Sequence, residues 1–243
     1  MSTLAVHQAN FLPWLGFFDK VAICDVFYVL DHVQAPNGRD YHSRTGICVN
    51  GRLHWLSVPI VRAGHAGQRH DQVQIADRHF VRKHLATIAQ NYCTSPFFAS
   101  VYADIESIYA DKSPLLTDFS LNGIRLLFER LGLSRPILRT SSLLSRHPHL
   151  LQTSGSDLML ELTRISGCTS YLSGNGARAY MKPEMFQAAG IGLEFQQFAH
   201  PRYDQRSGKS FVPGLSIIDA AMRVGWNGVQ DFVNPKETGH ESR

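Results

Sequence analysis

The stretch TLAVHQANFLPWLGFFDKVAICDVFYVL, residues 3–30, limits the fold more than any other part of this chain. TLAV is a short apolar run of strand length. From Pro13 onward Leu15, Phe18, Val21 and Ala22 recur at helical spacing, with Pro13 suited to a first helical position. Asp25 ends that pattern, and VFYVL (26–30) has the continuous apolar character of a strand buried on both faces. Strand, helix and strand in about 30 residues make a βαβ unit, whose two strands run parallel through a right-handed crossover.

The remaining chain extends this theme with two interruptions. GICVNGRLHWLSVPI predicts a hairpin, because Asn50 and Gly51 both tolerate positive φ between apolar runs. Segments 79–92, 96–110 and 114–132 carry helical periodicity and form a helical insert. Alternation then returns, with strands at PILRTS, TSYLSG and IGLEFQQF, helices over 154–166 and 176–189, and a last helix from Gly214 to Gly225. The expected fold class is α/β, a mainly parallel sheet of Rossmann-like character with an inserted β-hairpin and the helical insert. A single α/β domain over 1–235 is expected, with a flexible tail over 236–243 and a mobile loop over Gly64–Gln74. Strand order stays open at this level.

Composition excludes several roles. With 44% hydrophobic residues, the 243-residue chain can fill a sizeable core, and an intrinsically disordered chain is not expected. A formal charge of +4 suits a small anionic partner but falls short of a nucleic-acid surface, which needs basic residues massed on one face. No window of about 18 apolar residues offers a membrane span. Four cysteines occur singly, and His7, Gln8 and Asn10 interrupt any signal-length apolar run. A cytoplasmic protein with reduced thiols is therefore expected. Oligomeric state is not legible.

The polar residues cluster where an open sheet binds ligands, beyond the carboxyl ends of its strands. His7 and Gln8 close the first strand, while Asp31, His32 and Gln34 close the second. His7 is expected as a catalytic base or a phosphate-binding donor, and Asp31 as the carboxylate that holds His7 in one tautomer, contacts a ribose hydroxyl or binds a metal–phosphate complex. Gln8, Asn10 and Gln34 are expected substrate contacts, Asn10 equally suited to capping the following helix. Arg44 offers a planar fork for phosphate or carboxylate. Ser173 and Gly174, in YLSGNGARAYM, sit at a second strand-to-helix turn, and Tyr203 lies in a polar stretch able to cover a ligand. Trp14 and Phe17 read as core, and Lys20 is a second candidate, after Arg44, for an anionic substrate, with a solvated or acid-paired side chain the favoured reading. Twelve histidines include His65, His70, His79 and His84, yet no HExxH or Cys/His set marks a metal site, so none is assigned and the cofactor is unknown.

The run His7-Gln8-x-Asn10-Phe11-Leu12-Pro13-Trp14-Leu15-Gly16-Phe17-Phe18-Asp19-Lys20, with Asp25-Val26-Phe27 and Asp31-x-Val33-Gln34, resembles the WbqC-like family. Further blocks at Trp55–Pro59, Lys83-His84, Pro96–Phe98, Tyr171–Gly174, Pro201-x-Tyr203-x-Gln205 and Leu215–Asp219 extend the resemblance along nearly the whole chain. Ala9 replaces the family's proline, His32 a usual acid, and His42-Ser43-Arg44-Thr45 a usual Asn-Arg-Asn-like stretch. The resemblance implies a setting in bacterial surface-polysaccharide or specialised-metabolite assembly. Two readings follow: a group-transfer enzyme acting between an anionic donor (nucleotide-sugar, acyl or aminoacyl) and a small acceptor, or a non-catalytic module binding an activated sugar or partner enzyme.

Overall fold

A computed structural model describes residues 1–233, except residues 37, 39, 63, 65, 66 and 207–209. The tail expected to be flexible and His65 lie outside the described residues. Five parallel strands form one sheet in the order β5-β2-β1-β6-β7, comprising β1 (Thr3–His7), β2 (Val26–Val29), β5 (Ile137–Arg139), β6 (Ser170–Ser173) and β7 (Gly192–Phe195). β3 (Arg44–Val49) and β4 (Arg52–Ser57) form a separate antiparallel hairpin. Its turn residues Asn50 and Gly51 have φ of 50° and 70°, as the dipeptide predicts.

The period-two alternation of the strands sends side chains to two different cores. Ala5, Phe27, Val29 and Leu172 join one large cluster with Phe17, Phe18 and Val21 of α1 (Leu15–Ala22). The same cluster takes in the hairpin, α2 (His79–Tyr92), α3 (Phe98–Ala110), α4 (Leu116–Leu131) and α7 (Ile217–Val233). Leu4, Val6, Tyr28 and Tyr171 point the other way and pack against α5 (Gly155–Ser166) and α6 (Pro183–Ala188). Helices therefore cover both faces, the requirement of a parallel sheet with apolar strands.

Four local expectations are corrected. The first helix starts at Leu15, not Pro13: Leu12 adopts φ 43° and its carbonyl accepts hydrogen bonds from Thr45 Oγ1 and Ser216 Oγ, each 2.8 Å. The helix expected over 176–189 is divided into a single turn at Asn175–Ala177 and the short α6. The last helix begins at Ile217 rather than Gly214, and although it breaks at Gly225 (φ 72°, ψ 172°) as expected, a second helical stretch continues past that kink to Val233, with Val229 and Val233 fully buried. Residues Gln68–Gln74 are no loose loop: the Ala35, His70 and Asp71 amides tie this segment to the Gln68, Val33 and Asp31 carbonyls, and His70 is buried.

Candidate functional site

From β1 the sheet grows outward through β2 to β5 on one side and through β6 to β7 on the other. The connections after β1 and β6 thus leave in opposite directions, and a crevice opens between the two carboxyl ends. A cavity of about 820 Å³ occupies that crevice. His7 and Gln8 supply its floor from β1, Ser173 and Gly174 from β6, and Gln34 reaches it from the segment after β2. Five residues expected at the site are thereby brought together.

Two helix amino ends also border the cavity. Trp14 and Gly16 present the start of α1, and Ser154 with Gly155 the start of α5. Each end carries backbone N–H groups without helical partners and the positive pole of the dipole, which favours an anion. Gln196, just past β7, donates from Nε2 to the Gly16 carbonyl at 2.7 Å and to Asp19 at 2.5 Å, fixing the start of α1 against the sheet. Gly16 is required there, since a Cβ would lie 2.3 Å from the Trp14 ring. Leu30, Val33, Leu158, Met159, Tyr171 and Met181 make most of the opposite wall apolar.

Lys20 supplies the site's cation. It lies four residues after Gly16, one turn along the same face of α1, and so returns to the end of β1. Its side chain is buried, lines the cavity, and donates from Nζ to the Val6 carbonyl at 2.9 Å. Among the described residues no carboxylate pairs with it, and burial lowers its pKa to about 8. The expectation that Lys20 is solvated or acid-paired is thus corrected. The available clue was the Gly16–Lys20 spacing beneath the strand end; its apolar neighbours argued only for packing.

His7 is held from two sides. Its ring packs edge-on against Phe17, centroids 5.1 Å apart, and Nδ1 lies 2.9 Å from the Gln8 carbonyl. A carbonyl only accepts, so Nδ1 carries the proton and Nε2 keeps a lone pair. Burial first, and the Lys20 charge second, lower its pKa to about 4. At neutral pH it is an uncharged imidazole able to accept a proton at Nε2.

Other expected residues lie elsewhere. Asp31 does not face His7: it is fully buried and accepts bonds from Arg139 Nε (2.5 Å), the Ser141 amide (2.7 Å) and Ser141 Oγ (2.8 Å). Arg139 also reaches Asp118 on α4 at 2.6 Å, so this carboxylate clamps the ends of β2 and β5 to the helical insert. The Gln8 carbonyl takes the orienting role expected of Asp31. Arg44 stands on the hairpin with its guanidinium 4.0 Å from the Trp55 ring centroid. Tyr203 donates to the buried Asp219 at 2.8 Å and borders a different, shallower hollow. Asn10 is buried off the cavity and does not cap α1. Among the described residues no group of three His, Cys, Asp or Glu converges as a metal site.

The topology and the crevice define a doubly wound α/β protein with a cavity at its topological switch point. The WbqC-like protein family matches residues 8–231, and the chain belongs to that family. It is similar to the uncharacterized protein Rv1507c of Mycobacterium tuberculosis (strain ATCC 25618 / H37Rv), 27% identical over 228 residues, 93% of this chain and 95% of that protein. No solved structure matches the chain. No helix among the described residues is long and apolar enough to cross a membrane.

Proposed function

We propose that the protein is a group-transfer enzyme of surface-polysaccharide or specialised-metabolite assembly, binding an anionic activated donor in the switch-point crevice. The observation that carries this reading is the presence of a buried lysine and a neutral histidine together in the lining of one cavity. A buried ammonium without a counter-ion is costly and gains most when a ligand anion supplies the missing charge. The amino ends of α1 and α5 favour the same sign.

In this reading Lys20 and the helix ends hold the anionic part, while Gln8, Gln34 and Ser173 orient donor and acceptor. His7 Nε2 takes the proton from the acceptor's hydroxyl or amine as the acceptor atom bonds to the transferred group. The bond from that group to the leaving group breaks, and the leaving group takes up the proton. Donor binding also prepares the base: an anion at Lys20 cancels the positive charge that helps depress the His7 pKa, and moves it back toward neutrality. An unloaded site therefore holds a weak base and a loaded one a stronger base.

The test is His7→Ala, assayed for ligand binding by calorimetry and for turnover with candidate donors. Binding retained within a few-fold, with turnover lost, supports the enzyme. Unchanged turnover removes His7 from the chemistry, and a ligand bound by both proteins with no turnover by either favours the binding module.

A further inference from the structure

We infer that the crevice takes an amphipathic donor, one negative charge attached to an acyl chain or comparable apolar body, in preference to a nucleoside diphosphate-sugar. This deepens the proposed donor site and rests on it.

The lining carries the inference. Lys20 is the only formally charged side chain among the described residues lining the cavity, and none of them is Asp or Glu. A diphosphate brings two or more charges, commonly shared with a divalent cation that needs carboxylate ligands. A nucleoside adds a ribose diol, which an acid at the end of the second strand receives in dinucleotide-binding sheets. Here that acid, Asp31, is buried and committed to Arg139 and Ser141. Lys20 is a cation only 3% exposed with no carboxylate paired to it among the described residues, matched to one anionic group.

The wall facing it is built for an apolar body. Leu158, Met159, Tyr171 and Met181 belong to the core beneath α5, yet each presents surface to the cavity. Methionine adapts to irregular or extended apolar shapes at little strain. Gly174, also in the lining, has an ordinary φ of −73°, and a Cβ built there meets nothing within 4 Å. Neither backbone conformation nor packing requires glycine at this position. Its missing side chain leaves room for a ligand to pass.

The experiment is calorimetric titration with butyl, hexyl and octyl phosphate, the matching carboxylates, and uridine diphosphate with Mg²⁺. Affinity should rise about fourfold per added methylene until the cavity is filled. The phosphate and carboxylate arms identify which head group Lys20 holds. Lys20→Met should lower affinity at least tenfold for every chain, Met159→Gln should flatten the chain-length dependence, and Gly174→Leu should obstruct binding while leaving thermal stability unchanged. Lys20-dependent binding of uridine diphosphate tighter than that of octyl phosphate would overturn this inference yet keep the anionic donor site. Anion binding indifferent to both chain length and Lys20→Met overturns the inference and the donor site together.

Discussion

Lys20 shows how a single residue separates stability from function. The methylene stem of lysine fits a helix face that otherwise reads as core, but its ammonium ends beside the Val6 carbonyl with no acid opposite it. Burial that lowers the pKa from 10.5 to about 8 costs roughly 3 kcal/mol at neutral pH. Lys20→Met removes that cost and loses about 1 kcal/mol of hydrogen bonding to Val6. The ligand-free variant should thus gain roughly 2 kcal/mol, or about 4–8 °C in Tm by calorimetry, while losing anion affinity. A lower Tm would show that the ammonium stabilises the fold and place its partner elsewhere. The wild type should also become more stable between pH 8 and 10.5, where the unfolded chain still binds a proton that folded Lys20 has released, and the variant should lack this rise. Ligand affinity follows the opposite course and falls as pH climbs past about 8.

At the scale of elements, the end of β2 is fixed by a buried ion pair rather than by the ligand. Asp31→Ala leaves Arg139 with only the partly exposed Asp118 and strands the Ser141 donors, so it should destabilise the protein by about 3 kcal/mol in urea unfolding. Ligand affinity of the folded variant should stay within a few-fold of wild type. Intact stability with lost affinity would return Asp31 to the site. The sequence revealed that Asp31 follows a strand; it did not reveal that Arg139, 108 residues away, closes β5 beside it. Arg44 is similar: its fork suits an anion, but register on the hairpin lays it on Trp55. Within elements the sequence was more explicit. Asn50-Gly51 specified its turn, and the apolar runs of β1 and β2 specified buried strands, because those choices depend on local φ preferences and burial pattern. His7, Gln8, Ser173 and Gly174 were readable for the same reason, as residues that end parallel strands.

Over the whole molecule, three desolvated imidazoles, two of them buried, set the acid limit. His7, His70 and His84 each have a pKa lowered from 6.5 to about 4, chiefly by burial. The unfolded chain takes up these protons first as pH falls, so stability should decline from pH 6.5 downward, with the decline from this source complete near pH 4. At full effect three such groups contribute a slope of about 4 kcal/mol per pH unit, and urea midpoints measured across this range check it. A flat profile from pH 6.5 to 5 would mean that these rings keep a route to water. Sequence alone determined the local features of this protein. Alternating strands and helices set the α/β class, and the polar residues closing β1 and β6 marked two turns that line the cavity, since periodicity and chain direction are local properties. Only the tertiary structure decided the order β5-β2-β1-β6-β7, which puts those turns on either side of one crevice, together with the return of Lys20 to its floor and the withdrawal of Asp31. Each depends on which distant segments meet, and that is settled by packing and charge pairing across the sheet rather than by any short run of residues.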